Sequence, residues 1–491
     1  MSCPYCLHTT PGTSSAFTPG KDIDAEIEHI EDLISSLITA RTRLRKKRNE
    51  LRCPIYSLPP EIVALIFKFT CPSLNFPRRY GIDAVVPSQI FLGLGESDKV
   101  IYPRTLGVLS TVSALWHSVV SSTPSLWTSF VANDMDLHLM QTVLARSGNL
   151  PISASITTPD VVTPHLSTVL NPNLLDHAAR IRMLHVRYAS STWLKAHIAS
   201  FIHLELLSLQ GNVNREELVL VGSSCTRLVL KNFVCRIFLS WSKIQVLHLT
   251  LIPVGVCLEM LQRCTNLIEF KVQRSHTPSV VDGVQLPSSS FILPRLEVFE
   301  WLVNGENPAD CLMLQYTYMP VLKTLIWSES HSNLPPSGAL STFFKRLPST
   351  LSTVEMQSCT LHSGIFSYFW KFPHVEDLVF RDCAGSFMDG VFSSLGAVVE
   401  NQEMPTLPKL KSIYIGNSSF RLDQENVLQT FRRRGSWPSG SSREINTFRL
   451  EFTKPQVDWT PEFHEELIEM VEEGYKVELW EDSKPVDWLS M

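Results

Sequence analysis

Several features that mark common protein classes are scarce or missing in this chain of 491 residues. A strong excess of one charge is absent: 43 Lys and Arg against 48 Asp and Glu leave a net charge of -5. The chain therefore lacks the positive field of a generalist nucleic-acid binder, and polyanion contact can only be local. Long apolar runs are absent too. The most apolar window, Val246 to Leu261, is broken by His248, Pro253 and Glu259, so it does not supply the roughly 20 apolar residues of a membrane-spanning helix. The first 20 residues have no charged start followed by an apolar stretch, and no secretory leader is expected. Cysteine is sparse, 11 scattered residues, unlike the dense, even set of a small secreted disulfide scaffold; a reducing compartment, cytosol or nucleus, is expected. There is no phosphate loop, dinucleotide-binding glycine pattern or nucleophile elbow,. With 44% apolar residues, however, a sizeable core is available.

What is present begins after a Thr, Ser, Pro and Gly-rich tail at 1–20, whose composition cannot offset the entropy of ordering,. From Lys21, Ile23, Ile30, Leu37, Leu44 and Leu51 recur every seven residues, with Ile27, Leu33 and Ile34 beside them and no Gly or Pro before Pro54. This predicts one long amphipathic helix over 21–53. The stripe suits either a coiled coil or packing on its own chain. The basic run Arg41 to Arg52 reads as a solvated helix face, with nuclear import or phosphate contact as alternatives,. A second helical signal starts at Leu58-Pro59-Pro60-Glu61, where proline fits the helix entry and the carboxylate suits the dipole,. Ile62, Leu65, Ile66 and Phe69 follow as one apolar face,. Prolines and glycines over 72–104 predict an insertion loop. Helical patterning resumes at Leu106 and runs through Val112 and Trp116 to Val120, before Thr123-Pro124 and Leu126-Trp127.

The rest of the chain repeats itself. An apolar residue, a second three positions on and a third two beyond recur as Ile181/Leu184/Val186, Leu204/Leu207/Leu209, Cys225/Leu228/Leu230, Ile244/Leu247/Leu249 and Leu267/Phe270/Val272. The series continues as Leu296/Phe299/Trp301, Leu322/Leu325/Trp327, Leu351/Val354/Met356, Val375/Leu378/Phe380, Leu410/Ile413/Ile415 and Ile445/Phe448/Leu450. The mean interval is about 26 residues, inside the range of leucine-rich repeats. A large ordinary α/β domain is the alternative. In a strand, the second and third apolar residues share one face and the residue between them points the other way. Reading those intervening residues along a stack gives His185, Ser208, Val229, His248, Lys271, Glu300, Ile326, Glu355, Val379, Tyr414 and Arg449. This row mixes both charges with apolar gaps, which suits a protein ligand better than a polyanion. Its candidate contact residues are His185, His248, Lys271, Glu300, Glu355, Tyr414 and Arg449. At the far end Thr460-Pro461 begins a helix with Phe463, Leu467, Met470 and Val471 on one face, a unit able to close a repeat stack.

Residues 54–130 resemble an F-box, the small helical module that binds the adaptor Skp1 in cullin-RING ubiquitin ligases. Leu58-Pro59-Pro60-Glu61-Ile62, Val112 to Trp116 and Thr123-Pro124-Ser125-Leu126-Trp127 carry the resemblance. The whole layout is similar to the F-box proteins abundant in mushroom-forming fungi. It implies an α/β fold: an irregular leucine-rich-repeat solenoid with a parallel β-sheet on its concave face, preceded by a small helical F-box-like module and a long N-terminal helix. The segments expected are a tail 1–20, a helix 21–53, the module 54–130, a linker and N-terminal cap 131–177, repeats 178–453 and a C-terminal cap 454–491. By resemblance, Leu58, Pro59, Ile62 and Ile66 face the adaptor, while Val112, Trp116 and Trp127 build the module's small core or its rim. The implied role is a non-catalytic substrate receptor linking a protein substrate through Skp1 to a cullin ligase, without cofactor, metal or membrane. A ligase-independent repeat scaffold and a basic-helix nucleic-acid module are the alternatives. Cys3-Pro4-Tyr5-Cys6 matches a glutaredoxin tetrapeptide, but no strand precedes it,. Cys3, Cys6 and His8 would supply only three zinc ligands,.

Overall fold

The computed structural model describes residues 21–70, 102–132, 137–157, 174–188, 191–211, 218–219, 225–232, 237–273, 287–303, 314–329, 338–360, 365, 368, 372–396, 406–416, 421–435, 447–453 and 459–488. The tail 1–20 with Cys3, Cys6 and His8, and the expected insertion up to residue 101, lie outside them; 102–104 already belong to a helix. The described residues up to 126 form one compact unit and those from 127 onward another.

The first unit is helical. α1 is Lys21–Arg52, α2 Pro60–Thr70, α3 Tyr102–Val112 and α4 Ala114–Ser122. Pro60 opens α2 with Glu61 in its first turn, and the Ser113 hydroxyl caps α4 by accepting from the Trp116 N–H at 3.2 Å,. Val63, Phe67, Leu106, Val119, Val120 and Leu126 are buried. The Phe67 ring meets Trp116 edge-on, with centroids 4.8 Å apart. By contrast, every described side chain of α1 is exposed, so its apolar stripe is not buried among the described residues.

The second unit is α/β, built on a mostly parallel sheet of 15 strands. In chain order the strands are β1 (Ser129–Val131), β2 (Ile152–Thr157), β3 (Ile181–Arg187), β4 (Leu206–Gln210), β5 (Leu218–Val219), β6 (Arg227–Lys231), β7 (Ile237–Phe238), β8 (Val246–Thr250), β9 (Glu269–Gln273) and β10 (Phe291–Ile292). They continue with β11 (Val298–Val303), β12 (Thr317–Tyr318), β13 (Thr324–Glu329), β14 (Thr353–Gln357), β15 (Asp377–Arg381), β16 (Ser412–Gly416), β17 (Phe448–Phe452), β18 (Val477–Glu481) and β19 (Lys484–Pro485). β5 pairs with β7 and β10 with β12 in small separate sheets; all the others follow one another in the large sheet, and only β19 is antiparallel to its neighbour.

The paired apolar positions are buried in every described copy, from Leu184 and Val186 to Ile413 and Ile415. Helices between strands cover this face. α5 is Leu137–Arg146, α6 Ser191–His197, α7 Val254–Arg263 and α8 Gly338–Lys345, and Phe343 and Phe344 of α8 pack on Phe299 and Trp327. α9 (Gly385–Gly396) brings Phe387 against Phe380, followed by α10 (Gln424–Gly435) and α11 (Pro461–Glu472).

Two local geometries recur: a turn before the strand, which the sequence announces at Leu293-Pro294, Met319-Pro320, Phe372-Pro373 and Leu407-Pro408, and a positive-φ residue after it, which was not read from sequence. The first apolar residue of a copy donates its N–H to the carbonyl three residues earlier, at Leu204, Ile244, Leu267, Leu296, Leu322, Leu351, Val375 and Leu410. The residue at that earlier position is a buried apolar one in most copies, such as Phe201, Trp241, Cys264 and Leu293. Then, immediately after β3, β4, β6, β8, β14, β15 and β18, comes a residue of positive φ: Tyr188, Gly211, Asn232, Leu251, Ser358, Asp382 and Asp482. The N–H groups of Tyr188, Gly211, Asn232, Ser358 and Asp382 reach the next strand's last carbonyl, locking the end of each ladder. Gly211 is required: a Cβ there would lie 2.9 Å from Tyr188 Cα at a φ of +139°,.

Two expectations need correction. β2, together with β1 at the end of the segment read as the module, extends the sheet into the region read as linker and cap, since Ala154 and Ile156 occupy the places of Leu184 and Val186. β17 sits two residues from the expected register. Ile413 pairs with Leu450 and Ile415 with Phe452, so the intervening residue there is Glu451, and Arg449 falls opposite Ser412. Phe448, Leu450 and Phe452 alternate, so the template fits them in two ways; pairing with β16 decides between them.

Candidate functional site

Ten of the eleven intervening residues do lie in one continuous row across the sheet. His185 pairs with Ser208, Ser208 with Val229, Val229 with His248, His248 with Lys271 and Lys271 with Glu300. Glu300 is followed by Ile326, Glu355, Val379 and Tyr414, and then by Glu451 and Trp480. Strands of five residues place three side chains on this face, so neighbouring rows run beside it. Arg187, Glu269, Gln357 and Arg381 belong to them, and reading one position per strand missed these residues.

The early part of the row is closed. His185, His248, Lys271 and Glu300 are each no more than 6% exposed. The Arg187 Nε donates to His185 Nε2 at 3.0 Å, leaving Nδ1 to donate to the Ser208 hydroxyl at 2.7 Å. Burial, with the Arg187 and Lys231 cations adding to it, pushes the His185 imidazole down to about 3,. Farther on, His248 Nε2 lies 2.8 Å from Glu269 Oε1, and Lys271 Nζ is 3.3 Å from the same oxygen and 3.8 Å from Glu300 Oε2. Burial alone would raise the Glu269 carboxyl, but the His248 hydrogen bond and the Lys271 ammonium outweigh it and hold it at about 2. His248 is lowered, burial again being the main cause.

These histidines make stability depend on pH in a defined sense. Unfolded, His185 takes up a proton near its ordinary value of 6.5, whereas folded it stays neutral down to about 3. Stability is therefore complete above about pH 6.5 and falls as pH drops toward 3, because the unfolded chain binds the extra proton. We expect His185→Gln to flatten the loss of urea stability between about pH 7 and 5 by about 2 kcal/mol. An unchanged pH slope in the variant would contradict the assignment.

The later part of the row is half-exposed and differently built. The Arg381 Nε and the Gln357 side-chain amide both donate to Glu355 Oε1 at 2.7 Å, and the Arg381 guanidinium lies 5.2 Å over the Tyr414 ring. One strand further, Arg449 donates to Glu451 at 2.7 Å and stacks 3.7 Å over the Trp480 ring, whose Nε1 donates to Glu478. Glu355, Tyr414 and Arg449 are thus half-buried, each held by a partner and each still reached by solvent. The unit offers oriented charges of both signs and two aromatic faces.

Comparison of the chain with protein-family profiles and with curated proteins returns no match.

In the helical unit the adaptor-facing candidates divide. Leu58 is half-buried, and Pro59, Ile62 and Ile66 are exposed. α2 is apolar on two sides: Val63 and Phe67 turn inward, while Ile62, Leu65, Ile66 and Phe69 stand 43%, 48%, 36% and 83% exposed. The sequence reading named this outer face and overlooked the inner one, which the spacing of Val63 and Phe67 already carried. Trp116 is half-buried against Phe67. Val112 is 55% exposed and takes no part in a core. Trp127 is buried but belongs to the sheet unit, with the Arg146 guanidinium 4.7 Å over its ring. Among the described residues, no group of three His, Cys, Asp or Glu side chains is placed to hold a metal ion, and no helix is long and apolar enough to cross a membrane.

Proposed function

We propose that this chain is a non-catalytic substrate receptor of an SCF-type ubiquitin ligase, acting in the cytosol or nucleus. Its F-box-like helices dock on a Skp1-type adaptor, and the sheet unit, an irregular leucine-rich-repeat solenoid, grips a protein substrate. The observation that carries this reading is the outer face of α2. Four large apolar side chains there remain in water although the helix already has a filled inner face. An exposed apolar stripe of this kind marks a docking surface, and the Leu58-Pro59-Pro60-Glu61-Ile62 motif beside it resembles the adaptor-binding edge of an F-box. Support for the repeat reading comes from the turn before, and the positive-φ residue after, successive parallel strands. The half-exposed group Glu355, Arg381, Tyr414, Arg449, Glu451 and Trp480 is the proposed contact zone for substrate, and the buried His185, His248, Lys271 and Glu300 hold the sheet beneath and beside it. Catalysis is by proximity: target lysines are held near the charged ubiquitin carrier, raising their effective concentration.

A pull-down with the full chain from a fungal extract tests the proposal. It is expected to recover a Skp1-type adaptor, with recovery lost in Leu58→Ala with Pro59→Ala and in Ile62→Asp with Ile66→Asp. No adaptor in the eluate, or equal recovery by the variants, would count against it. Partner proteins retained after deletion of 54–130, with no adaptor captured by the full chain, would favour the ligase-independent scaffold.

A further inference from the structure

α1 carries a second, independent interaction surface. Ile23, Ile30, Leu37, Leu44 and Leu51 form one line along the helix, and Ile27 and Ile34 form the adjacent line; all are about half exposed or more. These are the d and a positions of a heptad repeat, and the a line continues as Arg41 and Arg48,. A surface helix with this much apolar area in water and none of its described side chains buried is half of an interface,.

The charges select the partner. The amino-terminal half carries Asp24, Glu26, Glu28, Glu31 and Asp32, and the carboxy-terminal half Arg41, Arg43, Arg45, Lys46, Lys47, Arg48 and Arg52. One helix is therefore the electrostatic complement of its own reverse. We propose that α1 pairs with α1 of a second copy of this chain as an antiparallel coiled coil. In the register that stacks a on d, Ile27 faces Leu44, Ile34 faces Leu37, and Arg41 and Arg48 face Ile30 and Ile23. Asp24 then flanks Arg45, and Glu26 flanks Lys47, in the other copy. The two arginine stems lie along isoleucines while their heads reach water. A parallel pair would instead set Arg41 on Arg41, Arg48 on Arg48 and one acidic half on the other, so like charges oppose it. The antiparallel arrangement holds the two carboxy-terminal ends of α1 about 50 Å apart at a rise of 1.5 Å per residue.

Carbodiimide cross-linking of the full chain tests this, because the reagent joins only a carboxylate and an amine in contact. Glu26 and Lys47 are about 32 Å apart within one helix, so a link between them reports two antiparallel copies. The expected results are a light-scattering mass of twice 55.5 kDa and a Glu26–Lys47 cross-linked peptide. Asp24→Lys with Glu26→Lys is expected to raise the dimer dissociation constant at least about tenfold. Adding Arg45→Glu with Lys47→Glu is expected to restore it. A monomer at concentrations near 100 µM, a dimer without that cross-link, or a charge swap that neither weakens nor rescues association would overturn the proposal.

Discussion

Replacing Lys271 by Ala is expected to lower the stability of the sheet unit by about 3–5 kcal/mol, because it removes the ammonium from between two buried carboxylates, Glu269, which keeps its His248 hydrogen bond, and Glu300,. Lys271 lies between Glu269 and Glu300, and the three side chains are 5–7% exposed. The ammonium supplies no large net stabilisation by being there, since its own desolvation offsets much of the attraction. Removing it alone leaves negative charge in a site that water does not reach, and that asymmetry sets the size of the effect. Two consequences separate this account from simple loss of packing. Lys271→Met combined with Glu269→Gln and Glu300→Gln should recover most of the loss. The penalty of Lys271→Ala should also shrink as pH falls from about 7 toward 4, because a buried carboxyl that has lost its neighbouring cation acquires a raised pKa and is neutralised by protonation. Urea unfolding followed at both pH values checks this; a pH-independent penalty would contradict it.

Trp327→Ala should cost at least as much, for a different reason. Trp327 is fully buried, with ring centroids 5.2 Å from Phe344 and 6.5 Å from Phe343, and its Nε1 donates to Glu329 Oε1 at 2.7 Å. Truncation opens a cavity between β13 and α8, for which large-to-small changes cost about 3–5 kcal/mol. It also removes a hydrogen bond from Glu329, itself 4% exposed. Trp327→Phe keeps the ring stack and loses only the N–H, so it should fall well short of the Ala variant. Urea midpoints order the two; equal losses would place the energy in the hydrogen bond and not in the packing.

How far the sequence disclosed this arrangement depends on which face a residue occupies. Leu184/Val186 and its successors were legible because burial demands large apolar side chains at every copy, and a period of two then fixes the direction of the residue between them. β2 escaped because Pro151 stands at the first position of the template and Ala154 fills the place of Leu184 with less side chain. β17 was displaced because three alternating apolar residues satisfy the template in two registers, and only the partner strand chooses. The positive-φ residues at strand ends escaped because Tyr188 and Leu251 do not announce that conformation as Gly211 and Asn232 do,. On the polar face, sequence gave the row but not its depth. Nothing in the order His248, Glu269, Lys271, Glu300 says that the group is sealed, or that Glu355 to Trp480 remains half open. On α2, the outer stripe and the inner pair overlap within a few residues, and only the packed structure separates them.

Calorimetric titration of the full chain with a purified Skp1-type adaptor tests the central claim most directly. The account predicts saturable binding at one adaptor per chain, weakened at least about a hundredfold by Ile62→Asp with Ile66→Asp, since two apolar anchors of about 1.5–3 kcal/mol each are lost. Binding should be unchanged by Arg381→Ala on the sheet. Absence of heat with the adaptor, or binding indifferent to the α2 substitutions, would contradict it.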